Sequence, residues 1–358
     1  MKKIYILAAV ALVASAACTK IETNEAEIPS TKISFSTANY LPQTKAGEAS
    51  FLSEFTNPAD ARFQCKAFMV GEGVTGTQNF FGTDGETISW NATAKEWAPS
   101  HDYYWPKSAK SYINFFSWYD TGAGPVVTNG TMKWENRTIG TGDNIMYADP
   151  AWHFQKNTKA PTYGLDGVSE GVPTLFHHAL SQIEFKVYAD KLSKDPVVSS
   201  WTIKLTDVKI GSIYNQGTLS LTSTEPAATE FNQKGTWNTA AWTTSGTTGN
   251  LTPADLTVSA TTAAGANVLL ANQSVLPQSL TDVKLTFKLD ITTNYTAGES
   301  NHEIINTEIL LTDFGQSAWE LNKKYIYTLK IVPSENRVLF DPAVEKAWET
   351  VNVAEKEL

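Results

Sequence analysis

Apolar and polar residues alternate with a period of two along most of this chain, the signature of β-strands with one covered face. Ile183, Phe185 and Val187 alternate with polar partners, and so do Trp201, Ile203 and Leu205 before Val208 and Ile210 take up the opposite phase. That one-residue slip predicts a β-bulge near Asp207. Val283, Leu285, Phe287 and Leu289 predict a strand with one apolar face, with Lys284 and Lys288 on the other. Tyr325, Tyr327, Leu329 and Ile331 predict another, and residues 33–36 a short first strand. Residues 112–119 are aromatic on both phases, which predicts burial on both faces. Turns are expected at Thr83-Asp84-Gly85 and Gly249-Asn250. Helical spacing persists nowhere beyond about a dozen residues; short helices are expected over 342–350 and 51–61. Many short strands with turns between them define an all-β chain of tandem antiparallel β-sandwiches. The glycine-rich stretch 163–173 marks the boundary, and the Thr/Ala/Gly-rich stretch 222–266 is a long surface hairpin of the second domain.

The opening residues break this pattern. Lys2 and Lys3 precede a short apolar run, and Ala14, Ser15, Ala16 and Ala17 lead into Cys18. This reads as a secretory signal, too short to remain as a membrane span. A cysteine directly after small residues is where a bacterial lipoprotein is cut and acylated, although Ser15 stands where the usual pattern has leucine. The other reading is an ordinary signal peptide with Cys18 incidental. The expected division is 1–17 signal peptide, 18–32 lipidated tether, 33–172 N-terminal domain and 173–358 C-terminal domain. The chain has 358 residues and two cysteines, so no disulfide framework is expected, and Cys65 between Phe63 and Phe68 reads as a buried small residue. Losing Lys2 and Lys3 takes the basic count from 28 to 26 against 37 acidic residues, a net charge of −11. Such a balance argues against a nucleic-acid partner.

Chemistry is sparse. Of five histidines, His101, His153, His177, His178 and His302, only His177 and His178 are adjacent, and neighbours on a strand face opposite ways. They are expected to be structural, one inward and one outward, with no metal. Gly71, Gly73 and Gly76 match a nucleotide-loop spacing, but the residues after them are turn-rich and open no helix. Asp313-Phe314-Gly315 reads as a turn. No cofactor and no catalytic residue is expected. The aromatic group Trp90, Trp97, Tyr103, Tyr104, Trp105, Trp118 and Tyr119 reads either as sandwich core or as a platform for sugar rings.

These residues also carry a resemblance. The lipoprotein signal, Ile33-Ser34-Phe35-Ser36, Thr44-Lys45-Ala46 and Tyr103-Tyr104-Trp105-Pro106 ahead of an aromatic strand resemble the fimbrillin family of Bacteroidales. So do Phe176-His177-His178-Ala179-Leu180 at the opening of the second domain, Leu276-Pro277-Gln278, and Trp319 with Asn322, Tyr325 and Tyr327. The family commonly has arginine at the place of Lys45. The resemblance implies two transthyretin-like, Greek-key β-sandwiches and a type V pilin or minor fimbrial subunit without enzymatic activity, exported as a lipoprotein and contributing to adhesion. It also implies that a trypsin-like protease cuts after Lys45, removing lipid and first strand, and that a donor strand from the next subunit fills the groove. Anchor subunits of the family instead keep lipid and strand. Arg337 to Val353, with Val338, Phe340, Val351 and Val353 alternating, is the candidate donor. Expected partners are other fimbrial subunits, the outer membrane through the lipid, and a host protein or glycan. The competing reading is a surface glycan-binding lipoprotein.

Overall fold

The computed structural model describes residues 31–41, 47–71, 74–159, 170–190, 196–333, 337–341 and 345–346. The described chain is all-β, with only 3-10 turns besides strands. The first module contains β1 (Phe35–Leu41), β2 (Gly47–Ala49), β3 (Arg62–Gly71), β4 (Glu86–Asn91), β5 (Glu96–Pro99), β6 (Ser111–Asp120), β7 (Val126–Thr128), β8 (Thr131–Thr138), β9 (Ile145–Ala148), β10 (Ala151–Phe154) and β11 (Glu170–His178). The second contains β12 (Ser181–Ala189), β13 (Val198–Thr222), β14 (Thr239–Leu251), β15 (Asn267–Val275), β16 (Lys284–Tyr295), β17 (Ser300–Leu310), β18 (Lys323–Val332) and β19 (Arg337–Asp341).

In the first module the sheet closes on itself. Pairing runs β6–β9–β11–β1–β5–β4–β3 and returns from β3 to β6, a ring of seven strands. Closure removes open edges, and the interior is packed with Phe35, Phe63, Trp97, Phe115 and Phe176. Alternation along a strand does not distinguish an open sandwich from a closed ring; closure depends on β1 finding β11, 137 positions away at Phe35↔Val172. The β1–β11 ladder is parallel, as is β12–β18, where Gln182 to Ala189 face Lys324 to Ile331. These two pairs depart from the expected antiparallel arrangement.

β6 is buried on both faces, as its sequence suggested, because it separates two cores. Ile113 and Phe115 point into the ring, while Phe116 and Trp118 point outward against Met132, Trp134, Leu219 and Leu221. That outer layer is built from β8 and the far half of β13, which pair along 131–138 and 216–222. The near half of β13 pairs with β16 in the second module. Sheet pairing therefore does not divide at residue 172: β11 stays with the first ring to His178, and one 25-residue strand serves both modules.

The second module is a sandwich. One sheet orders β17, β16 and β13; the other orders β15, β12, β18 and β19. Ile203, Leu205, Leu285, Phe287, Tyr327 and Leu329 fill the space between. Val283, Leu285, Phe287 and Leu289 are buried, Lys284 is half-buried beside Glu308, and Lys288 is exposed beside Asp207, as the alternation required. The register slips between Thr206 and Lys209, with Asp207 at φ 55°, which places the bulge where the phase change put it. Gly249 and Asn250 do not form a turn; they lie inside β14, Gly249 facing Ile213. The expected helix at 51–61 is two 3-10 turns, Phe51–Glu54 and Pro58–Asp60. Within the other expected helix, Glu345–Lys346 is a short strand on β18, and the remainder of 342–350 lies outside the described residues.

Cys65 has no exposure, and burial pushes its thiol up to about 12. In a Cys18→Ser chain, Cys65 is therefore expected to resist maleimide labelling at pH 8, with full labelling only in denaturant. Rapid labelling of the native chain would contradict its placement in the ring.

Candidate functional site: the seat of the first strand

β1 is the stave on which ring closure depends. Ile33 and Phe35 enter the interior at 2% and 0% exposure. Phe35 meets Phe63 and Phe115 edge-on, at centroid distances of 5.6 and 5.7 Å. On one side β1 has the five-pair ladder to β11. Gly171 makes that approach possible: a Cβ there would lie 2.6 Å from the carbonyl carbon of Phe35. On the other side the contact with β5 is thin, a single pair at Phe35↔Trp97 together with the Ile33 N–H donating to the Tyr103 carbonyl at 2.8 Å. Asn157 clamps the start of the strand. Its Oδ1 accepts from the Ser34 N–H and the Trp105 indole, both at 3.2 Å, and its Nδ2 donates to the Lys32 carbonyl at 2.9 Å.

The far end is held by polar groups, Asn39 and His178 buried and Glu54 and Asn144 half-buried. Asn39, 3% exposed, donates through Nδ2 to Glu54 Oε1 at 2.7 Å. Glu54 comes from the 3-10 turn whose Phe51 stacks on Phe176 at 4.1 Å, so packing inside the ring fixes where the carboxylate stands. Asn144 Nδ2 donates to Glu54 Oε2 at 3.2 Å, and His178 lies with Nδ1 3.0 Å from Asn144 Oδ1 and Nε2 3.4 Å from Glu54 Oε1. Burial alone would raise the Glu54 carboxyl, but hydrogen bonds from His178, Asn144 and Asn39 outweigh it and hold the group below its ordinary 4.5. Burial lowers His178 below its ordinary 6.5, with Glu54 offsetting only part of the effect.

Both shifts have one consequence for stability. A group whose folded value is depressed contributes stability above its unfolded value and loses it as pH falls through the folded one. The urea midpoint is therefore expected to fall on acidification from pH 7, first below 6.5, where the unfolded imidazole takes up a proton that buried His178 does not, and again below 4.5, where unfolded Glu54 does likewise. Glu54→Gln should flatten the lower step. A midpoint unchanged between pH 7 and 4 would contradict this arrangement.

The expected inward and outward split of His177 and His178 is only partial. His178 is buried, while His177 is covered by the Tyr40 ring at 4.7 Å, stacks on Tyr147 and pairs with Asp149 at 2.9 Å. Among the described residues no group of three or more His, Cys, Asp or Glu side chains could hold a metal, and no helix is long and apolar enough to cross a membrane. Of the aromatic group, Trp97, Trp105 and Trp118 are buried, Trp90, Tyr103 and Tyr119 are half-buried, and Tyr104 is exposed. Cys18, Lys45, Val351 and Val353 lie outside the described residues, Lys45 falling in the link between β1 and β2. Val338 packs against the second core and pairs with Ile331, and Phe340 pairs with Leu329. The sequence pattern did not single out Asn39, Glu54, Asn144 or Asn157, and Gly171 read only as part of the glycine-rich boundary stretch. A polar residue closing an apolar strand gives no signal until its partners arrive from elsewhere in the chain.

The described chain is thus an all-β fold whose first strand is inserted into a distant ladder. Residues 44–346 match the fimbrillin-like family, and the chain belongs to it. A fimbrial protein from Bacteroides vulgatus is 15% identical with a TM-score of 0.51, covering 88% of this chain and 99% of its own. A cell adhesion protein described as putative from Bacteroides uniformis is 16% identical with a TM-score of 0.41, covering 88% and 98%. No curated protein matches the chain.

Proposed function

We propose that this chain is a structural or accessory subunit of a type V fimbria, without catalytic activity, exported as a lipoprotein acylated on Cys18 and assembled at the cell surface by donor-strand exchange at the β1 seat. One observation carries the reading: β1 is fully inserted in the ring, yet it joins the rest of the chain through the segment that contains Lys45. Cutting after Lys45 would release the tether and β1 together. The vacated seat would expose the backbone edge of β11 and the apolar interior, the two things an incoming strand satisfies. The anchored precursor belongs at the outer membrane, and its partners are other fimbrial subunits. The segment this chain would donate to the seat of a different subunit, Arg337 to Val353, begins with residues already paired to β18, so donation requires them to leave that edge.

N-terminal sequencing of sheared filaments tests the reading. A start at Ala46 supports it; an intact acylated Cys18 in the assembled fibre defeats cleavage and makes the chain a basal anchor. Cys18→Ser is expected to abolish labelling by a fatty-acid probe, and undiminished labelling would remove the lipid assignment.

A further inference from the structure

The seat of β1 is not a featureless apolar slot. Its far end presents a half-buried carboxylate, fixed from behind by Asn144 and His178, and the strand occupying it supplies one hydrogen-bond donor. Among the described residues Asn39 Oδ1 has no partner, so the seat reads only the donating half of that amide. Ahead of it, Ala38 is fully covered and touches Leu175, which leaves room for a small side chain. The occupant must therefore bring an apolar residue, an aromatic two positions on, a small residue three further, and a donor one beyond that. An acidic or purely apolar residue at the last position leaves Glu54 either facing like charge or without its bond.

The chain's own C-terminal segment does not meet this requirement. Two frames place apolar residues at both the Ile33 and Phe35 positions. With Val338 and Phe340 there, Asp341 falls on fully buried Ser36 and Val344 on Asn39. With Val351 and Val353 there, Glu357 falls on Asn39, against Glu54. Reversing the direction is no better: the first pair then puts Glu335 on Ala38, and the second puts Trp348 there.

We propose that Glu54, presented by Asn144 and His178, determines which strand the seat accepts. It excludes this chain's own C-terminal segment, so the exchanging partner is a different subunit whose strand carries a neutral hydrogen-bond donor at the Asn39 position. This rests on the donor-strand reading above, but the seat's selectivity is measurable without filaments.

The test uses the full-length chain carrying Asn39→Glu, with a specific protease site in place of residues 42–46. It is nicked after folding and refolded from urea with labelled peptides. The peptide of residues 32–41 and its Asn39→Gln form are expected to occupy the seat. Its Asn39→Glu form and the peptides 337–346 and 347–358 should bind about 100-fold more weakly, or about 2.8 kcal/mol at 1.4 kcal/mol per tenfold. Adding Glu54→Gln to the chain should bring the Asn39→Glu peptide to within about tenfold of the unmodified one. Equal binding by either C-terminal peptide, undiminished binding of the Asn39→Glu peptide, or failure of every peptide to enter the seat would each overturn the proposal. Sequencing of filaments bears on cleavage alone and leaves this selectivity untouched, so the two readings fail separately.

Discussion

Phe35→Ala is expected to lower the unfolding free energy by about 3–5 kcal/mol, the usual cost of removing a fully buried phenylalanine ring. Phe35 is 0% exposed and sits where β1 makes its single pair with β5. Its loss removes edge-on contacts with Phe63 and Phe115 and leaves a cavity at the weakest seam of the ring. The surrounding strands cannot collapse into that space, because β11 on the other side is fixed by its own ladder to β9. Local opening should follow: amide exchange at residues 172 and 174–176, which pair with β1, should accelerate more than exchange along the β12–β18 ladder. Tyr40→Ala is the control, since that ring is 40% exposed and lies outside the core. Urea unfolding followed by tryptophan fluorescence measures both; a loss under about 1 kcal/mol for Phe35→Ala would show that β1 is not part of the packed ring.

How much of this was legible in the sequence depends on the distance over which each feature is decided. Val283 to Leu289 and the slip near Asp207 were readable because a strand's two faces are a local property, and one covered face dictates the alternation. The double burial of β6 was readable for the same reason, since aromatic residues on both phases require two cores. Ring closure was not readable: the β1–β11 pairing joins residues 35–39 to 172–176, and nothing near Phe35 specifies Val172 as its neighbour. The helix expected at 51–61 failed because its apolar residues Phe51 and Phe55 serve the ring's end through 3-10 turns and aromatic stacking, not through a helical face. The polar half of the seat was hidden more deeply. Asn39, Glu54, Asn144 and His178 are ordinary surface residue types, and only the fold brings them beside one another.

The second large effect is expected at Asp120. Its side chain, 1% exposed at the end of β6, accepts from Arg137 Nη2 at 2.9 Å, Arg137 Nε at 3.3 Å, the Trp134 indole at 2.9 Å and the Gly122 N–H at 2.7 Å. Arg137 is 14% exposed, also reaches Asp143 at 3.3 Å, and its guanidinium is held above its ordinary range first of all by the hydrogen bond to Asp120. Because Trp134 and Arg137 lie on β8, this carboxylate joins the ring to the layer over its outer face. Asp120→Ala should cost about 3–5 kcal/mol, since it strips the mostly buried Arg137 of its main partner, leaving only Asp143, and strands the Trp134 indole N–H. Arg137→Leu alone should cost less, because Asp120 keeps its bonds to Trp134 and Gly122. The double variant Asp120→Ala/Arg137→Leu should be more stable than Asp120→Ala, because the poorly paired cation is gone. A double-mutant cycle by urea unfolding should then show coupling of at least about 2 kcal/mol. Burial also shields the pair from salt, so raising ionic strength from 0.05 to 0.5 M, expressed as Debye lengths of about 14 and 4 Å, should leave that coupling largely intact. Additive single effects, or a coupling that vanishes in salt, would place Asp120 and Arg137 on an exposed surface and remove the polar link between ring and outer layer.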